Sequence, residues 1–172
     1  MRARAHAYAA AVWAICFAAP HVYWTFDFAG IGTSLVGPAV RSDSLTLHLA
    51  CLAIAVFLLC GAATALLALY RWPRRWAGPA RKVLLGLCVF GAVLLSFRTV
   101  DIWLEFSWHL TDPSRTSAEQ LSTYLHLGRW FLLLWGPWFG LGAVLWSGLA
   151  WNYGRSFLRR ERRRALDSFG TT

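Results

Sequence analysis

Charge is scarce in this chain: Asp, Glu, Lys and Arg make up 15% of its 172 residues, while 58% are apolar and 11 are Trp. That excludes an ordinary soluble domain, whose surface takes about a quarter of its residues from the charged types. Paired thiols are missing too. The four cysteines, Cys16, Cys51, Cys60 and Cys88, form no Cys-x-x-Cys unit, which argues against thiol redox chemistry, since that needs two neighbouring sulfurs. They read as small apolar packing residues. No local pair of Cys or His has zinc-ligand spacing, so no metal site is expected. Gly30-Ile31-Gly32 follows no strand and precedes no Lys-Ser/Thr, which excludes a phosphate loop.

What the chain has in quantity is apolar length. Four stretches, 7–28, 45–70, 83–108 and 130–151, each reach the roughly 20 residues that a helix needs to cross the hydrocarbon core. The expected fold is all-α, a four-helix transmembrane bundle (1–154) followed by a basic tail (155–172). The basic start Arg2 and Arg4 ahead of Ala7 to Ala19 resembles a signal peptide. The aromatic run through His21, Tyr23, Trp24, Phe26 and Phe28 suits a full span with an interfacial end better.

Thirteen of the 17 Lys and Arg sit at Arg2 and Arg4, between Arg71 and Lys82, and between Arg155 and Arg164. With four spans these places share one side, which the positive-inside rule makes the cytoplasm, so both termini are expected inside a bacterial plasma membrane. Six of the eight acids, Asp27, Asp43, Asp101, Glu105, Asp112 and Glu119, fall toward the other side. The net charge of +9 then reads as a topology signal in contact with anionic lipid rather than as a nucleic-acid surface. The same holds for the basic and aromatic connector Arg71 to Pro79.

The connectors on the acidic side differ in kind. Ala29 to Ser44 is rich in turn formers and ends in Ser42-Asp43-Ser44, a helix N-cap pattern. Ser117-Ala118-Glu119-Gln120 has capping-box form, and a short amphipathic helix is expected from there into the fourth span, placed to cover the outer face. Pro20 and Pro137 lie inside spans one and four, where each removes a helix hydrogen bond and should kink or break the helix.

Polar side chains gather near the outer ends of the spans: His21, Tyr23, Trp24 and Asp27; His48; Arg98, Asp101, Glu105 and His109; His126, Arg129, Trp135 and Trp138. In span three, Arg98, Asp101, Glu105, Trp108 and His109 fall within an arc of roughly 100° at about 100° per residue. A charge at hydrocarbon depth costs on the order of 3 kcal/mol unless it is paired or faces a wet cavity, so this face marks a candidate site. An outward-opening polar and aromatic pocket is expected, binding a small hydrophobic, lipid-like or isoprenoid molecule. Asp101 and Glu105, one turn apart, cannot both ionise freely at low dielectric. With one as proton donor, His21 or His109 as base and Arg98 compensating charge, the set suits isomerisation or cyclisation of an apolar substrate. Tyr23, Trp24, Asp27, His48, Trp103, Trp108, Trp135 and Trp138 are the expected binding residues, the indole faces stabilising cationic character.

Arg98 with Asp101 or Glu105 reads equally as a structural ion pair, and the aromatic residues as an interfacial belt. His21, His48, His109 and His126 come from four spans at one depth, so haem is the alternative to having no cofactor. A non-catalytic accessory or transport subunit is the third class, although no broken-helix repeat points to a secondary transporter.

Two strings, His21-Val22-Tyr23-Trp24 and Trp135-Gly136-Pro137-Trp138-Phe139, together with the four-span length, resemble a family of small bacterial membrane proteins known only as a domain of unknown function. His-x-Tyr-Trp and Trp-x-Pro-Trp-Phe elements recur in that family. The resemblance implies the four-span topology and draws attention to His21, Tyr23, Trp24, Trp135 and Trp138. In the family the residue before the proline is often Glu, where this chain has Gly136, so no acid acts at that position here.

Overall fold

A backbone amide at hydrocarbon depth has no water to bond, so each apolar stretch must close its hydrogen bonds internally. In the computed structural model of the chain all of them are helices. The structure describes residues 2–26, 45–73, 76–111 and 118–169, with the side chains of 2–3, 109–110, 118–123 and 160–169 left out of the description. The elements are α1 (Arg2–Phe26), α2 (Leu45–Leu67), α3 (Ala77–Thr111), α4 (Ala118–Trp130), a π-helical turn (Phe131–Trp135) and α5 (Gly136–Phe169). Four helical segments, Arg4–Phe26, Leu45–Leu67, Ala77–Trp108 and Tyr124–Arg159, are long and apolar enough to cross a membrane. The protein is thus a four-span helical membrane bundle. No strand occurs among the described residues.

Helix association in lipid depends on close van der Waals fit, which small side chains allow. Ala7, Ala10, Ala11, Ala14 and Ala18 of α1 are buried, and so are Cys51, Ala55, Ala62 and Ala65 of α2. Along these stripes α1 and α2 pack most extensively; α3 packs comparably on α5, and α1 meets α5. Trp13 of α1 lies against Gly142 of α5, so close that a methyl group there would overlap the indole. The same indole donates from Nε1 to the Trp138 carbonyl at 3.1 Å. The fourth side of the bundle is different: α2 and α3 touch only sparingly.

The fourth span is one helical rod from Ala118 to Phe169, interrupted only by the π turn. Gly136 N–H reaches back to the Phe131 carbonyl, a five-residue closure that widens the helix. Pro137 follows with no N–H to give and a ring that clashes with the preceding turn, and a wide turn is one way a helix absorbs both. The disruption expected at Pro137 is therefore present as a π turn, whereas α1 continues as α-helix through Pro20. The short helix expected before span four exists as α4 but runs straight into the span. The basic stretch expected as a tail from residue 155 continues α5 to Phe169. Asp27, the 29–44 connector, Asp112, Pro113 and Ser117 lie outside the described residues, as do the side chains of His109, Glu119 and Gln120.

Candidate functional site

Arg98 and Asp101 stand three residues apart on α3, and the guanidinium donates to the carboxylate. Both side chains are 40% exposed. The guanidinium also lies over the ring of Phe131 in the π turn, 5.9 Å from its centroid. Phe131 is stacked in turn on Phe106, with centroids 4.9 Å apart. The π turn thus holds an aromatic face under the cation, a contact that gains strength where water is scarce.

His21 is buried to 3% exposure inside an aromatic cage. Phe17 and Trp24 meet its ring edge-on at 5.0 and 5.1 Å. Trp135 packs on both Phe17 and Trp24. Nδ1 of His21 is 2.8 Å from the Phe17 carbonyl. A carbonyl only accepts, so Nδ1 carries the proton and Nε2 is the basic nitrogen of the neutral ring.

His48 has a different task. Its Nδ1 lies 3.0 Å from the carbonyls of Trp24 and of Thr25. These belong to the last turn of α1, whose carbonyls have no partner within the helix. The first turn of α2 therefore caps the end of α1.

Arg98, Asp101 and His21, with the Cys51 thiol, line a cavity of about 590 Å³ walled by α1, α2, α3, the π turn and the start of α5. Phe17, Phe131, Trp135 and Phe139 form much of the protein side, and the remainder is apolar. Its lips are Phe57 of α2 and Phe97 of α3, 52% and 69% exposed. The opening among the described residues is therefore lateral, between α2 and α3 and toward the hydrocarbon. The outward mouth expected from the sequence would be formed by connectors outside those residues.

The remaining expected site residues are dispersed. Glu105 and Trp108 are exposed and absent from the cavity wall, although they share a helix face with Asp101. Trp103 is exposed, its Nε1 near Gly136. Tyr23 is exposed on the far side of α1 from His21. Trp24 and Trp135 are buried around His21. Trp138 stacks on Trp13 with centroids 6.3 Å apart and keeps a buried Nε1 without a hydrogen-bond partner. His126 is exposed beside Arg129 on α4, in a separate surface hollow.

Phe17 and Phe131 had no part in the sequence expectation. Phe17 could have been found from its i, i+4 relation to His21 on one helix face. Phe131 had no such signal, because the π turn rotates it out of the regular register.

Among the described residues, no group of three or more His, Cys, Asp or Glu is placed to hold a metal ion. Comparison of the chain with protein-family models, with curated proteins and with solved structures gave no match.

Proposed function

We propose that the protein sits in a bacterial plasma membrane with both termini in the cytoplasm and holds a lipid-like or isoprenoid molecule in the α2/α3 groove. The observation that carries this reading is the placement of Arg98, Asp101 and His21 on the wall of one otherwise apolar cavity with a lateral mouth. Ionisable groups are expensive at hydrocarbon depth, and a membrane protein that keeps three of them around an aromatic cavity has a use for them. A ligand arriving through the bilayer would enter between Phe57 and Phe97 without crossing water.

The chemistry such a set supports is a proton shift along an unsaturated chain. Nε2 of His21 takes a proton from an allylic carbon and returns it from the imidazolium to the far end of the allylic system, so that a double bond moves and nothing is consumed. Arg98 compensates the negative charge left on the allylic system while the proton is away, and the rings around His21 stabilise its imidazolium. A second reading is a holding protein without chemistry, favoured by the Arg98–Asp101 pair being already closed on itself.

Mass spectrometry of molecules that co-purify with the full chain tests the binding claim. Wild-type protein is expected to carry one apolar species in near-stoichiometric amount, which His21→Phe and Arg98→Met deplete while the fold persists. An identical bulk-lipid profile for all three proteins would overturn it. Deuterium uptake from D2O into the bound species, lost in His21→Phe, separates the catalytic reading from the holding one.

A further inference from the structure

A second, narrower cavity of about 140 Å³ continues the groove away from Arg98. Phe57, Leu58, Leu94 and Leu95 line both spaces, so the two meet end to end along the α2/α3 seam. Beyond that junction the wall is Trp13, Gly61, Thr64, Leu87, Gly91 and Trp146. The indole sits close to the helix backbones here: a Cβ on Gly91 would come within 2.8 Å of the Trp146 ring. At 61, a Cβ would stand 3.4 Å from the same indole.

The length of this seam is informative. At about 1.5 Å per residue, α2 rises about 25 Å from Leu47 to Thr64, and α3 about 21 Å from Leu87 to Asp101. One leaflet contributes about 15 Å to the hydrocarbon core. The groove exceeds the depth of one leaflet, and its far half is the smaller space, about 140 Å³ against 590 Å³. A space of that size suits a single chain.

The polar end constrains the headgroup. Arg98 and Asp101 neutralise each other, so an anionic head would have to compete with Asp101 for the guanidinium and then lie beside an unpaired carboxylate. The pair does offer N–H donors and carboxylate acceptors side by side. A neutral group that both donates and accepts, such as a hydroxyl, satisfies both at once.

Resting on the groove-binding reading above, we infer that the occupant is a single-chain, uncharged long-chain alcohol that reaches past the Phe57/Leu94 junction, its hydroxyl at Arg98–Asp101 and its tail along Trp13 and Trp146. An apolar chain gains little hydrophobic free energy on moving from lipid into such a groove, so selection by length reads the dispersion fit along the narrow half. Selection by head reads the hydrogen bonds.

Native mass spectrometry of the full chain in maltoside micelles tests this with geraniol, farnesol, geranylgeraniol, geranylgeranyl monophosphate and dioleoylphosphatidylcholine as probes. Retention is expected to rise with chain length through the three alcohols. The longest alcohol should exceed its monophosphate by about tenfold, the equivalent of one well-made hydrogen bond. Thr64→Trp, or Leu87→Trp on the opposite wall, should abolish the length preference and leave geraniol binding intact. Equal retention of the three alcohols, tighter binding of the monophosphate, or displacement of every alcohol by the phospholipid would overturn the inference and leave a shorter or charged groove ligand standing. Retention of no probe by folded protein would overturn the groove reading itself.

Discussion

His48, in the first turn of α2, donates from Nδ1 to the carbonyl of Trp24 in the last turn of α1, 3.0 Å away. The same nitrogen is 3.0 Å from the Thr25 carbonyl. One side chain therefore serves two backbone acceptors that the helix leaves open, and it joins the ends of the two most closely packed helices. His48→Ala should cost about 1 to 3 kcal/mol, the penalty for leaving part-buried acceptors unpaired. Thermal unfolding in a fixed detergent reads this directly. His48→Gln, which keeps a donor, should recover part of the loss, and equal melting of all three proteins would show that the cap is energetically idle.

Gly136 closes the π turn, and the position has no space for a side chain. A Cβ there would stand 2.9 Å from the Phe131 carbonyl oxygen and 3.2 Å from Trp103 Nε1. Because the first obstacle is backbone, it cannot rotate away. Gly136→Ala should destabilise by about 1 to 3 kcal/mol, as overpacking commonly does. Gly140→Ala, whose Cβ would meet only Thr99 Cγ2 at 3.6 Å, should melt near wild type. The pair separates a steric requirement at the turn from a general sensitivity of α5.

The spans were legible because bilayer thickness sets a length that hydropathy can read, and all four apolar stretches are helices. Their ends were not. Helix α3 starts at Ala77, ahead of Arg81 and Lys82, and α5 runs on through the Arg-rich stretch. Hydropathy stops where the oil stops, while Arg, Glu, Ala and Leu continue a helix readily in water. The open α2/α3 side was equally hidden: α2 after His48 and α3 from Val83 to Phe97 are apolar nearly all round, so periodicity does not say which face meets protein. The better signal was size, since the alanines at 7, 10, 11, 14 and 18 and at 55, 62 and 65 mark the buried faces. At the site, spacing placed Arg98 and Asp101 together correctly. It extended the same face to Glu105, which helix geometry alone could not separate from the cavity wall.

Glycines in α5 and α3 make a second contrast. A Cβ on Gly142 would overlap the Trp13 indole, whereas one on Gly86 would meet nothing within 4 Å. Gly142→Ala should push α1 and α5 apart and lower the melting temperature, with a cost of about 1 to 3 kcal/mol. Gly86→Ala should be neutral or stabilising by up to about 1 kcal/mol, because alanine loses less backbone entropy in a helix. If the order of the two variants is reversed in thermal unfolding, the close approach of Trp13 to α5 is wrong.

The Arg98–Asp101 pair invites a double-mutant cycle, because the two partners cannot be judged singly. Removing one strands the other at hydrocarbon depth, where an unpaired charge costs on the order of 3 kcal/mol before snorkelling or neutralisation relieves it. Removing both strands nothing and costs only lost packing, together with the cation–π contact of Arg98 on Phe131. Arg98→Met and Asp101→Leu should therefore each destabilise more than the double variant does. The coupling energy follows from unfolding of the four proteins in one detergent. Additive losses would mean that the two side chains act independently, each solvated at the groove mouth, and would remove the neutral two-sided anchor on which a hydroxyl head depends. A large positive coupling combined with normal stability of the double variant leaves one way to read the pair: it is retained for what it binds, since the fold stands without it.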